Sequence, residues 1–259
     1  MLAYWISERE RIRVKKEDND PRPWSDDTVF QWTYFCNVHR EDDRVTRWIR
    51  ANYTPSIFGD YYEVAIVAAR LFNWPSTLEK IKFDIVPSPH TNLWKILKDL
   101  QESRTKIWGG AYLITTHGRK MGKIDYCVEL IDSVMKMTPA TCQPNCEDYW
   151  HWFKRVDGLG SFLSAQIVAD LKNTKGHPLF LASDWKYFSA PGPGSLRGLS
   201  WYWNRKITPA SYEQAISDVA IELNWDFCMQ DLQNCLCEYD KYCRVLTGTG
   251  KSKRGYAAY

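Results

Sequence analysis

The chain has 259 residues, 44% apolar and 15% aromatic, with 13 Trp and 15 Tyr; that is enough to bury a substantial core in one large domain or two lobes, and it excludes a disordered chain. The net charge of +3 is too small to announce a nucleic-acid binder, so any such surface must come from local clusters. No stretch approaches the ~18 apolar residues of a membrane span. The opening MLAYWISERERIRVKK sets apolar residues before charge, the reverse of a signal peptide. No membrane partner is expected, the protein reads as intracellular, and its 8 cysteines read as reduced.

In chain order, Ser7 to Lys16 reads as a charged helix and Asp18 to Trp24, with two prolines, as a turn. Ser25 is expected to cap a helix carrying Asp26 and Asp27 in its first turn and Val29, Trp32, Phe35 and Cys36 as its buried stripe. If that helix continues, Asn37, Arg40, Arg44 and Arg47 fall on one face, which is either a solvated face laced with pairs such as Asp43–Arg47 or an anion-binding one. Tyr61 to Phe72 predicts a helix ending at Asn73-Trp74-Pro75, and Ser76-Thr77-Leu78-Glu79 reads as a capping box opening the next. Leu93, Ile96, Leu97 and Leu100 mark an amphipathic helix after Pro89. Ile107 to Thr116 is open between buried helix and strand, its Gly109-Gly110 pair pointing to a close backbone or ligand approach; a helix follows through Leu130 and Val134.

The densest signal is Val156 to Leu199. Val156-Asp157-Gly158-Leu159-Gly160-Ser161 sets two glycines one residue apart before the apolar spacing of Leu163, Ile167, Val168 and Leu171. Ser161 reads as the N-cap, and a tight turn feeding a helix start presents N–H groups and a positive dipole end to a phosphate. Asp184-Trp185 follows; alone, such an aspartate is most often a helix cap. Pro191-Gly192-Pro193-Gly194-Ser195-Leu196-Arg197-Gly198 reads as a stiff loop, either plain surface or an anion nest with Arg197 as its fork. Ala210 to Leu223 and Cys228 to Leu246 are helical, the latter with Leu232, Leu236, Tyr239, Tyr242 and Cys243 inward; the last residues form a flexible basic tail. No strand alternation is sustained, so the fold is read as all-α.

Three patterns mislead. Cys228, Cys235, Cys237 and Cys243 come one residue short of an iron–sulfur loop at the middle spacing, so a cluster is not expected. Cys142 and Cys146 with His151 lack a fourth zinc ligand at usable spacing. Gly248-Thr249-Gly250-Lys251-Ser252 resembles the end of a P-loop, but Val245 stands where the first glycine belongs, and no strand precedes it.

The order of hairpin, helix and aspartate resembles the helix-hairpin-helix DNA glycosylases, although the hairpin lysine many of them use is absent. A narrower resemblance rests on Phe35 to Thr46 (FCNVHREDDRVT), Ala182 to Trp185 (ASDW), Pro191 to Leu199 (PGPGSLRGL) and Asn234 to Tyr242 (NCLCEYDKY). These are similar to the phage alpha-glutamyl/putrescinyl thymine pyrophosphorylases, amino acid:DNA transferases related to the helical domain found with hydroxymethyluracil DNA kinases. The resemblance implies two helical lobes around a cleft, residues 25–172 forming one and 1–24 with 173–246 the other, with 247–259 as the tail. It implies a transferase that displaces pyrophosphate from 5-(pyrophosphoryloxymethyl)uracil in DNA with an amino acid or polyamine, in the cytoplasm of an infected bacterial host. The partners are then double-stranded DNA carrying the modified uracil, which must leave the stack to be reached, and the free amine. Asp184 or Asp43 would deprotonate that amine. Asn37, Arg40, Arg44, Gly192, Gly194, Ser195 and Arg197 would meet the pyrophosphate, and Gly158, Gly160 and Ser161 a DNA phosphate. No cofactor is required; whether a magnesium ion travels with the pyrophosphate stays open. A base-excising glycosylase and a non-catalytic DNA-binding helper are the alternatives.

Overall fold

A computed structural model describes residues 1–86, 92–112, 114–137 and 145–250. Among these the regular structure is helical, without strands: α1 (Leu2–Glu17), α2 (Thr28–Trp32), α3 (Arg44–Asn52), α4 (Pro55–Phe58), α5 (Tyr62–Phe72), α6 (Pro75–Ile81), α7 (Asn92–Glu102), α8 (Lys123–Met135), α9 (Cys146–Lys154), α10 (Ser161–Lys172), α11 (Pro193–Trp203), α12 (Tyr212–Glu222) and α13 (Met229–Leu246), with short 3-10 turns between. Pro89, Cys142 and the end of the tail from 251 onward lie outside the described residues. The all-α reading holds for the described chain.

The chain divides into two compact units, Met1–Asp43 with Lys186–Tyr259 and Arg44–Trp185. The sequence reading set these divisions at 24/25 and 172/173. Two local facts move them. Residues 25–43 belong with α13, since Asp27 accepts the Tyr242 hydroxyl at 2.7 Å and the Phe30 and Tyr242 rings lie 5.4 Å apart. Trp185 is tied back to α10, its indole donating to the Lys172 carbonyl at 2.7 Å while Lys172 Nζ donates to the Trp185 carbonyl at 2.6 Å.

In the unit of the two chain ends, α13 is the axis. Its apolar stripe Leu232, Cys235, Leu236, Tyr239, Tyr242 and Cys243 is buried against Leu2 and Trp5 of α1, Val29 and Phe30 of α2, Leu199 of α11 and Ile216 and Val219 of α12. The segment Pro191 to Leu199, read as a loop, is instead the entry and first turns of α11, with Pro193 in the first turn, where a missing N–H costs nothing. Its glycines are packing glycines: a Cβ on Gly198 would stand 2.1 Å from the Leu236 carbonyl oxygen, and one on Gly194 3.0 Å from Cys237 Sγ. Helix α2 is shorter than predicted and capped by Asp27, which accepts the Val29 N–H, rather than by Ser25, whose hydroxyl goes to Glu8. Trp32 is exposed, while Phe35 is buried from beyond the helix end.

In the central unit α5 is buried on nearly every face, as its alanine-rich sequence requires, and turns out through Asn73 in the left-handed conformation. The Gly109-Gly110 expectation is met at Gly109, whose N–H donates to the Phe72 carbonyl at 2.7 Å and whose missing Cβ would sit 2.1 Å from the Asn73 oxygen. Helix α6 opens on Pro75 rather than on a capping box at Ser76, and Thr77 donates to the Lys106 carbonyl instead. In the core of the unit Arg70 pairs with Asp170, both almost fully buried, the guanidinium also reaching Asn73 Oδ1 at 3.1 Å and Thr46 Oγ1 at 3.2 Å.

Candidate functional site

The helix before Asn37 does not continue through it. After Trp32 the chain runs irregularly to a 3-10 turn at Arg40–Asp42, and helix resumes only at Arg44, so Asn37 and Arg40 do not share a helical face with Arg44 and Arg47 of α3. The cause sits on α1. Arg9 Nε donates to the carbonyls of Phe35 at 3.2 Å and Cys36 at 2.9 Å, and Nη2 to Asn37 Oδ1, taking the acceptors a helix would have used.

The freed segment lies along one stripe of α13. Asp231, Asn234, Glu238 and Lys241 recur every three or four residues and so share a face. Asp231 Oδ1 accepts the Arg40 N–H at 3.0 Å and its Oδ2 lies 3.2 Å from His39 Nδ1. The Asn234 amide donates to the Asn37 carbonyl at 3.2 Å, Glu238 Oε2 accepts the Cys36 N–H at 3.0 Å, and Lys241 Nζ lies 5.0 Å over the Phe35 ring. The two run antiparallel and in register, because an extended chain from 35 to 40 and a helix from 231 to 241 both cover about 15–16 Å. Two sequence motifs almost two hundred residues apart are thus one surface.

The segment then folds back on itself. The Asn37 N–H donates to Asp43 Oδ1 at 3.0 Å and its amide to the Asp42 carbonyl at 2.9 Å. This puts the Asp43 carboxyl in a partly buried place near Glu238, Arg9 and Arg40. Burial first, then the Glu238 charge, push it up to about 6, against the opposing Asn37 N–H, Arg9 and Arg40. A carboxyl at that value is largely ionised at neutral pH yet basic enough to take a proton. Burial, followed by Glu238 and Asp43, also holds the Cys36 thiol well above the ordinary range, so it stays protonated. Lys241 pairs with Glu238 at 2.7 Å, and Arg40 Nη1 with Glu41 at 3.0 Å. Arg9, Glu238, Lys241, Asp231 and His39 were not singled out as site residues from sequence, because what marks them is their neighbours across the fold.

The other expected residues fall elsewhere. Gly192 and Ser195 exchange hydrogen bonds at 3.1 Å at the start of α11. Arg197 reaches back to the buried Asp240 of α13, with Nε and Nη2 both 2.9 Å from Oδ2. Arg44 is exposed at the start of α3 in the central unit. Asp184 caps α9: its Oδ1 accepts the Cys146 N–H at 2.8 Å and its Oδ2 the Glu147 N–H at 3.0 Å, so both carboxylate oxygens serve the helix start. The four cysteines of the near-cluster pattern follow α13 and its cap as free thiols, and among the described residues no three His, Cys, Asp or Glu side chains converge as a metal ion needs. Gly248 to Gly250 follow a helix, unlike a P-loop, and Lys251 and Ser252 lie outside the described residues.

In the central unit the turn at 155–160 joins α9 to α10. Gly158 has φ +112 and packs so closely on α8 that a Cβ would stand 2.3 Å from Tyr126 Oη, so only glycine fits. Gly160 is the N-cap of α10, with Ser161 one residue inside it. It has φ −68, and a Cβ there would meet nothing within 4 Å. Neither its backbone nor its packing asks for glycine; what glycine provides is open space over the first turn of α10, where helix N–H groups lack intrahelical acceptors. Asp157 at the tip pairs with Arg119, and a cavity of about 340 Å³ beside it is lined by Arg119, Glu129, Ser133 and Arg155 among others.

These features define a chain whose described residues are helical in their regular structure, with a carboxylate-bearing loop stitched to its last helix. The chain belongs to the family described as "5-hmdU DNA kinase, helical domain", whose family model matches residues 1–252. That membership ties it to the hypermodification of thymine in DNA. No curated protein and no solved structure matches it.

Proposed function

We propose that the chain is a transferase that displaces pyrophosphate from 5-(pyrophosphoryloxymethyl)uracil in DNA with an amino acid or an amine such as putrescine. The observation that carries this is the Asp43 carboxyl, raised to about 6 on a loop stitched to α13 among Arg9, Arg40 and Lys241. An amine attacks only when neutral, and Asp43 has the basicity to take its proton near pH 7. The departing pyrophosphate gathers negative charge, for which Arg9, Arg40 and Lys241 are the cations at hand, each also engaged by the loop or its supports. Asn37 fixes Asp43 through its N–H and Arg9 through its amide, so it acts as the joint of the site.

Asp184 is assigned to the α9 start rather than to chemistry, since both its oxygens are taken by backbone donors. Arg197 and the glycines of α11 act by setting α13 in place. The hairpin, with open space at Gly160, is assigned to a DNA phosphate contact indifferent to sequence. Resemblance to the helix-hairpin-helix glycosylases supports that assignment and a flipped-out target base.

The test is to incubate the protein with DNA bearing pyrophosphorylated hydroxymethyluracil and a mixture of amino acids and polyamines, digest to nucleosides and weigh them. A new amine adduct together with free pyrophosphate is expected. A free base would replace the proposal by a glycosylase, and an unchanged nucleoside would replace it by a DNA-binding helper.

A further inference from the structure

One residue of the loop has no task in the reaction above. His39 Nδ1 lies 3.2 Å from Asp231 Oδ2, and the other Asp231 oxygen accepts the Arg40 N–H at 3.0 Å, so backbone and ring together fix the carboxylate. The Phe227 ring stands edge-on to the imidazole with centroids 4.5 Å apart, and Trp225 backs Phe227 at 5.4 Å. The imidazole is clamped on one edge and one side, while the side chain remains 27% exposed. A ring whose Nδ1 is held by a carboxylate presents Nε2 as its working nitrogen. The charged groups around it are Asp231 from α13, Glu10 from α1 and Asp42 from its own loop; Arg13 of α1 pairs with Glu10 and lies 3.7 Å from Asp42. The Asp231 hydrogen bond, outweighing burial, raises the imidazole above its ordinary value, with those carboxylates adding to it.

We propose that His39, oriented by Asp231, is the general acid of this displacement, giving its Nε2 proton to the departing pyrophosphate oxygen. The assignment rests on the transfer reaction proposed above. The amine nitrogen bonds to the methylene carbon as the carbon–oxygen bond breaks, and the bonding pair leaves on the pyrophosphate oxygen, which takes the His39 proton. The proton released by the new ammonium passes to Asp43, and exchange with solvent restores both residues. No redox change or co-reactant is needed. The placement suits a displacement, in which nucleophile and leaving group lie on opposite sides of the carbon. Asp43 works at the Glu238 end of the stripe and His39 at the Asp231 end, two helical turns or about 10 Å along α13.

The experiment follows transfer by the full chain from pH 5.5 to 9 for wild type, His39→Gln and Asp231→Asn, with the His39 ring titrated in parallel by NMR and assigned by its loss in His39→Gln. Loss of kcat by about a hundredfold in His39→Gln, with disappearance of the alkaline limb, is expected. Asp231→Asn keeps the acid but not its partner, so the alkaline limb and the His39 midpoint should both move to lower pH. If wild type forms the adduct and His39→Gln matches it in rate and limb, the assignment is overturned and the transfer reading stands. A His39 midpoint unmoved in Asp231→Asn also overturns it, whatever the activities. A wild type that forms no adduct removes the reaction, and the assignment with it.

Discussion

Replacing Asp43 by asparagine should make the protein more stable and inactive at once. The folded carboxyl sits at about 6 against an ordinary 3.8. Between those values the folded state binds more protons than the unfolded one, so this carboxyl supports folding below about pH 4, and that support is lost as the pH rises through about 6. The gap of about two units corresponds to roughly 3 kcal/mol by which the ionised carboxylate works against folding at pH 7.5. Asparagine keeps the size and an oxygen for the Asn37 N–H, which now donates at 3.0 Å, and removes the charge. In a chain of this length, up to about 3 kcal/mol reads as a Tm gain of roughly 5–10 °C at pH 7.5 and little at pH 4.5. In the nucleoside assay the same variant should lose about a hundredfold or more in amine transfer, and wild-type kcat/KM should fall below about pH 6, where Asp43 takes up a proton. An Asp43→Asn protein with the wild-type Tm and the wild-type pH dependence of Tm would refute the reasoning about the carboxyl. One that transfers amine at the normal rate would refute its role as base.

Other substitutions probe single supports. Glu238→Gln removes the negative neighbour that helps raise Asp43, so the acid limb of kcat/KM should move to lower pH while the chain stays folded. Gly160→Val, with nothing within 4 Å of the new Cβ, should leave the melting curve nearly unchanged and weaken binding to every DNA sequence alike; unchanged affinity would make the hairpin structural only. Gly158→Val, at φ +112 and 2.3 Å from Tyr126 Oη, should instead cost about 1–3 kcal/mol or more in urea unfolding. Gly198→Ala drives a methyl to 2.1 Å from the Leu236 oxygen and should loosen α11 from α13, at a cost of about 1–3 kcal/mol. Asp184→Ala should lower stability by about 1 kcal/mol through the exposed α9 start and leave the transfer rate of the folded protein unchanged.

What could be read from the sequence was local. The apolar spacing behind Gly160 predicts α10, and that of Leu232 to Cys243 predicts α13, because each helix declares its own buried stripe. The misread segments answer to distant partners. Nothing in FCNVHRED says that its helix must stop at Trp32; the reason is the Arg9 guanidinium, twenty-six residues earlier, holding the Phe35 carbonyl. PGPGSLRGL reads as a loop because glycines weaken helices, yet Gly198 is there to admit the Leu236 backbone of α13. Asp184 gave an aspartate before an aromatic, and the group it serves, the start of α9, lies thirty-eight residues upstream. Asp43 could be proposed as a base from its motif, but its value near 6 comes from burial and from Glu238.

The two units handle buried charge in opposite ways, and the contrast points to where a ligand acts. In the central unit, Arg70 is matched by Asp170 at two of its nitrogens, with Asn73 and Thr46 completing the set, while Asp170 takes Arg50 as well. A pair so fully satisfied is architecture, and breaking it by removing one partner would cost about 3–5 kcal/mol. In the other unit, Arg9 is also buried, yet among the described residues its Nη1 has no hydrogen-bond partner, and the neighbouring Asp43 is raised to about 6. An unmet buried donor costs about 1–3 kcal/mol, and the raised carboxyl about as much again. A fold that can satisfy Arg70 completely is not short of ways to satisfy Arg9. A buried arginine with an unmet nitrogen beside a raised carboxyl, the two sharing Asn37, is the pattern expected where substrate charge completes the site.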